Sequence, residues 1–154
     1  MKKIGEYTAR GVVTEAETTA GTPQLIPLYD GSFKTAYRVT EFVIWGSAYD
    51  SGSNPDAIGK LSKNSIGSTS EGNFMRADDD NQIAWAAING SIANAESNFT
   101  LVDADNLIVE DLYVYARTPG TNTNPINYYV KMDKYAISEE QGALLMARDR
   151  ADGE

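Results

Sequence analysis

The sequence predicts an all-β chain: an antiparallel β-sandwich of jelly-roll type with one short helix at its C-terminal end. Three observations carry this expectation. Aromatic and β-branched residues cluster in short runs, several alternating apolar with polar, as a strand with two faces requires. Turn formers separate those runs at frequent intervals, with 13 Gly and 5 Pro spread over 154 residues. Only one segment, beginning at Ser138, joins a helix-start signal to helix-forming composition. About eight or nine strands result, and a jelly roll uses eight in two sheets. The length is that of a single domain, residues 1–154, large enough to bury a core without staples.

Taken in order, residues 7–14 read as a first strand, rich in Tyr, Thr and Val. Residues 18–23 (Thr-Thr-Ala-Gly-Thr-Pro) read as a turn. Residues 24–29 read as a short strand interrupted by Pro27, which removes a ladder donor and places the strand at a sheet edge. Asp30-Gly31 is a tight-turn signal. Residues 35–48 form a long strand whose centre, Phe42-Val43-Ile44-Trp45, is apolar on both faces, as for a strand covered on both sides by core or by a neighbouring subunit. A loop follows at 50–55. Short strands are expected near 57–61, 73–76, 82–88 and 98–102, with Asn89-Gly90 as a turn. The two clearest strands are 106–117 and 126–137. The link between them, from Thr118 to Pro125, is pure turn composition and predicts an antiparallel hairpin. In the second of these strands Ile126, Tyr128, Val130 and Met132 share one face and Lys131 and Asp133 the other, so that strand is half exposed. Ser138 is the expected N-cap of the helix, with Gln141 completing a capping box. Glu139 and Glu140 suit its first turn, Arg148 and Arg150 its last, and Gly153 and Glu154 are expected to fray. Leu144, Leu145 and Ala147 are expected to pack on the sheet.

Composition excludes several chemistries. There is no cysteine, hence no disulfide, thiolate metal site or cysteine nucleophile. There is no histidine, the usual general base and the usual partner of a serine nucleophile. The net charge of −9, with basic residues scattered, argues against direct binding of nucleic acid. No run approaches the ~18 apolar residues of a membrane-spanning helix. The start, Met1-Lys2-Lys3-Ile4-Gly5-Glu6-Tyr7, has two lysines but no apolar signal region after them, and reads as a mature N-terminus. Asp78-Asp79-Asp80-Asn81 has the residue types that bind calcium but lacks the spacing and glycine of a calcium loop. Asp103-Ala104-Asp105-Asn106 reads as a turn ahead of a strand. No catalytic, cofactor or metal residue is assigned, and no enzyme activity is expected.

Tyrosines are the remaining signal. Tyr113, Tyr115, Tyr128 and Tyr129, with Phe42 and Ile44, make strands apolar on both faces. Either a core or an interface explains them; the interface reading takes these six as contacts between copies of the chain. Trp45 and Trp85 are the residues through which a carbohydrate-binding module would stack on a sugar ring, although their apolar contexts predict burial.

Several segments resemble short structural proteins of uncultured marine bacteriophages. They are Asp105-Asn106-Leu107-Ile108-Val109-Glu110-Asp111-Leu112-Tyr113-Val114-Tyr115, Asn127-Tyr128-Tyr129-Val130-Lys131-Met132-Asp133-Lys134-Tyr135 and Gln141-Gly142-Ala143-Leu144. Lys3-Ile4-Gly5-Glu6-Tyr7 and Asn81-Gln82-Ile83-Ala84-Trp85 belong to the same pattern. The resemblance spans most of the chain and has no catalytic motif, so no functional residue is carried over. It implies a virion component, a small capsid or capsid-decoration protein. Its partners would be copies of itself, as a trimer or larger assembly, and other virion proteins, with neither nucleic acid nor membrane bound directly. The alternative expectation is a carbohydrate-binding or host-attachment sandwich.

Overall fold

The computed structural model describes residues 1–47, 56–65, 74–88, 99–118 and 125–152. Its elements are β1 (Lys2–Val13), α1 (Glu15–Ala20), β2 (Gln24–Ile26), β3 (Thr35–Gly46), β4 (Ala57–Ser62), β5 (Gln82–Ile88), β6 (Phe99–Val102), β7 (Leu112–Arg117), β8 (Ile126–Ala136) and α2 (Glu139–Asp152). The strands form two antiparallel sheets, β1-β8-β3 and β2-β7-β4-β5-β6. The pairing is nested: β1 with β8, β2 with β7, β4 with β5, while β3 lies against β6. A long hairpin wound into a roll produces this order, which is that of a jelly roll. β6 departs from the ideal by hydrogen-bonding to β5 instead of β3. Further along β3, Ile108 takes up the vacant ladder position, exchanging two 2.8 Å bonds with Tyr37.

The nesting overturns the expected terminal hairpin. β7 and β8 do not pair; β7 joins β2 and β4, while β8 lies between β1 and β3 in the other sheet. In a roll, most consecutive strands change sheets, so a turn-rich link need not be a tight turn. The expected strand 106–117 also divides. Ile108 bridges to β3, the chain crosses over, and only Leu112–Arg117 enters the second sheet. Phe74, Met75 and Arg76 carry no strand. The loop at 50–55, the Asn89-Gly90 turn, residues 119–124 of the final link and Gly153-Glu154 lie outside the described residues.

The first half of the expected turn at 18–23 is the end of a helix, and the chain turns at Gly21. Thr14 caps α1: its Oγ1 accepts from Glu17 N–H at 3.3 Å, and Glu17 Oε1 accepts from Thr14 N–H at 3.0 Å. Gly21 closes the helix in the left-handed conformation, φ 71°. The spacing Thr14-x-x-Glu17 is a capping box legible in the sequence. Pro27 acts as expected. β2 stops at Ile26 on the outer edge of its sheet, and the next two amides leave the ladder to donate to Asp111 Oδ1, at 2.8 Å from Leu28 and 3.1 Å from Tyr29.

The core fills the space between the sheets. β8 alternates as its sequence demands, with Ile126, Tyr128, Val130 and Met132 all buried. Facing them stand Leu112, Val114 and Ala116 of β7, Leu61 of β4 and Ala84 and Ala86 of β5. Tyr128 needs more room than its neighbours, and its partner across the ladder, Gly11, supplies it. A Cβ on Gly11 would lie 2.7 Å from the Tyr128 hydroxyl oxygen.

α2 closes one end of the sandwich. Its N-cap Ser138 accepts from Gln141 N–H at 3.2 Å. Leu145 and Met146 pack against a small second core of Ala36, Val109 and Ile137. Leu144 and Ala147, expected to pack, face water instead, Leu144 at 72% exposure. The buried side of the helix is set by Gly142, whose backbone lies against the Phe33 carbonyl with no space for a side chain.

Candidate interaction surfaces

Ladder register fixes what the outer face of the three-stranded sheet displays. Side chains paired across neighbouring strands share a face. Four rows therefore run across it, each from β1 through β8 to β3: Val12–Asn127–Trp45, Arg10–Tyr129–Val43, Thr8–Lys131–Glu41 and Glu6–Asp133–Arg38. Trp45 and Val12 are each 40% exposed, and Tyr129 and Val43 are half-buried. Trp45 is thus not buried as expected. The apolar context that suggested burial belongs to Phe42 and Ile44, which alternate with it and point into the core.

The two margins of this face differ. The β1 margin carries exposed Ile4 and Val12, with Lys2, Lys3, Glu6 and Arg10 as its charges, while Tyr7, paired with Met132, lies at the inner rim of the same edge against the Tyr37 ring. Ile4 falls at a register break that interrupts an otherwise regular edge. The β3 margin carries Trp45, Arg38 and Glu41, and exposed Phe99 of β6 lies beside Val43, while Leu101 pairs with Trp85 on the outer face of the other sheet. Arg38 rests on the Tyr135 ring, 5.3 Å from its centroid, and its Nε makes no hydrogen bond among the described residues. On the other margin Glu6 accepts a 3.4 Å contact from Lys3, whose Nζ also reaches Asp133 at 3.0 Å.

Of the six residues expected at an interface, four serve this chain's own core. Phe42 and Ile44 face inward from β3, and Tyr128 faces inward from β8. Tyr115 lies on the outer side of the five-stranded sheet, yet only 2% of it is exposed: Lys60 Nζ lies over its ring and over that of buried Phe74, and its hydroxyl donates to Asn64 O at 3.4 Å. A strand apolar on both faces does need two covers, and for β7 the second is a piece of the same chain. Tyr113 and Tyr129 remain half-exposed on the outer faces.

Beneath that cover lies a residue the sequence did not single out. Lys60 is 1% exposed, with Nζ 4.5 Å from the Phe74 ring centroid and 4.9 Å from that of Tyr115. Burial pushes its pKa below the ordinary value of 10.5, against the opposing pull of Asp79. Only its odd place in an otherwise apolar strand, Ala57-Ile58-Gly59-Lys60-Leu61, could have marked it. Nearby, Lys63 and Asp149 form a 3.0 Å ion pair with both side chains nearly withdrawn from water.

A cleft of about 170 Å³ opens beside this pair, lined by Asp79 and Asp80, by Asp103 and Asn106, and by Trp85 and Arg148. The two acidic segments noted in the sequence are thereby brought together, though not as a cation cage. Asp78 is taken by Arg76 in a two-bond pair, and among the described residues no group of three or more carboxylates is placed to hold a metal ion. Trp85 is half-buried, and its Nε1–H is held by Gln82 Oε1 at 2.8 Å. No family model, curated protein or solved structure matches the chain.

Proposed function

We propose that this chain is a structural protein that assembles with copies of itself, as a trimer or larger closed ring, in the shell or shell decoration of a bacterial virus. The observation carrying the reading is that the two margins of the three-stranded sheet are complementary at matching levels. Val12 on β1 stands in the same row as Trp45 on β3, and Glu6 in the same row as Arg38. A copy set alongside in the same orientation brings its β1 margin to the first copy's β3 margin. Val12 then meets Trp45, and Glu6 meets Arg38. Such a head-to-tail contact uses two different surfaces and closes into a ring when the rotation per copy allows. Exposed Ile4 on one side, and Phe99 on the other, enlarge the apolar area available to it. The jelly-roll order supports the viral setting by analogy of fold, since shells use it, as lectin domains also do. The viral context itself rests on the resemblance of the sequence. No reaction is assigned.

Trp45→Ala tests the reading. Trp45 is exposed, so the variant keeps its stability within about 1 kcal/mol. Its self-association, followed by native mass spectrometry over a concentration series, falls by roughly tenfold or more, as for an aromatic anchor. Wild-type protein that stays monomeric throughout the series contradicts the reading.

A second reading, a carbohydrate-binding or host-attachment module, is favoured by the cleft at Trp85.

A further inference from the structure

The Trp85 cleft joins features that sugar rings require and that a plain solvated surface does not combine. One wall is an indole, fixed in orientation because Gln82 Oε1 holds its Nε1–H at 2.8 Å. Gln82 is held in turn: its Oε1 also accepts from Arg76 N–H at 2.8 Å, and its Nε2 donates to Asp79 Oδ2 at 3.2 Å. This chain of bonds pre-organises the wall before any ligand arrives. Across from it, Asp103 is ordered by its own loop, with Oδ2 accepting from Asn106 Nδ2 at 2.6 Å and Oδ1 from Asp105 N–H at 3.3 Å.

Acidic groups outnumber basic ones in the lining of the cleft. Asp79, Asp80 and Asp103 all line it. The cations beside them, Lys63 and Arg148, are both committed to Asp149, at 3.0 and 2.9 Å. At about 170 Å³ the cleft is smaller than the roughly 300–1,000 Å³ of a drug-sized pocket, and suits a single ring.

We propose that this cleft binds one ring of an amino sugar with its amine free and charged. The apolar face of the ring lies on Trp85, the ammonium group sits at the acidic rim of the cleft in the field of Asp79, Asp80 and Asp103, and ring hydroxyls meet Asn106 and Arg148. The aromatic wall supplies affinity and the carboxylates supply selectivity: a cation is drawn in, and an anionic sugar is repelled. The inference rests on the second reading above and is independent of self-association.

The test is calorimetric titration of the whole protein with three probes: a β-1,4-linked glucosamine tetramer, cellotetraose and sialyllactose. The indole N–H resonance of Trp85 is followed by NMR in parallel. The glucosamine tetramer binds, shifts the Trp85 resonance and binds more weakly as salt rises. Asp80→Asn and Asp103→Asn each weaken it roughly tenfold, a change of about 1.4 kcal/mol, and leave the fold intact by circular dichroism. Binding of cellotetraose as tightly as the amine-bearing tetramer overturns the charge selectivity and leaves the sugar-binding reading standing. Binding of none of the three overturns both. Binding that shifts the Trp45 resonance and not that of Trp85 overturns the assignment to this cleft.

Discussion

Asp149, near the end of α2, holds Lys63, just past β4, in an ion pair of 3.0 Å from which water is almost excluded, the two side chains being 6% and 3% exposed. Arg148 adds a second contact to the same Oδ1 at 2.9 Å. The pair pins the terminal helix to the five-stranded sheet, while Leu145 and Met146 pin it to the small core beside the other sheet. Removing one partner of a buried pair takes away the charge that offsets the burial of the other. Asp149→Ala is therefore expected to cost roughly 3–5 kcal/mol in denaturant unfolding. Arg150→Ala removes an exposed contact to Glu110 and should cost no more than about 0.5 kcal/mol. Equal effects of the two substitutions would contradict this account of how the helix is held.

Lys60 makes stability depend on pH in the alkaline range. Its pKa in the folded chain lies below the unfolded value of 10.5. Below the folded pKa both states carry the proton, and the cost of burying the charge is present in full. Between the two values the unfolded chain binds more protons, so stability rises with pH. Above 10.5 it levels off. Lys60→Met removes the group, so the stability of wild type relative to that variant should grow as pH is raised toward 10.5. Parallel thermal unfolding of both proteins reads this directly. A gap that is flat or shrinks with rising pH would refute it.

Among the described glycines, Gly142 leaves the least room for a side chain. A methyl group there runs into the Phe33 carbonyl, and Phe33 itself is held at φ 57°, a conformation rare for a bulky residue. Gly142→Ala should destabilise by on the order of 3 kcal/mol, as overpacking does. Gly5 has open space around its missing side chain, so Gly5→Ala should stay within about 0.5 kcal/mol. Midpoints of chemical unfolding distinguish the two.

Local pattern made the strands legible but not their neighbours. β8 shows clear alternation, and β2 ends where Pro27 forbids another ladder bond. Pairing was misread at β7 and β8, because a roll sends consecutive strands to opposite sheets and no local signal reports that. α1 was missed although Thr14 and Glu17 announce it, because Thr-Thr-Ala-Gly-Thr-Pro reads more loudly as a turn. Four of the six expected interface residues are buried within this chain for a related reason. Two apolar faces told correctly that β7 needs two covers, and could not tell a partner from Phe74 of the same chain. Conversely, Trp45 was hidden by the company of Phe42 and Ile44, although the alternation that buries those two is what turns Trp45 outward.

In the proposed assembly, copies of this chain meet through the two margins of the three-stranded sheet, with Glu6 facing Arg38 of the next copy. A charge exchange tests it most directly, by sedimentation velocity on wild type, Glu6→Arg, Arg38→Glu and the double variant. The wild type should associate with rising concentration, each single variant should lose that association, and the double variant should recover it, because the pair is restored with its signs reversed. A monomeric wild type, or single variants that associate as well as it does, would contradict the claim.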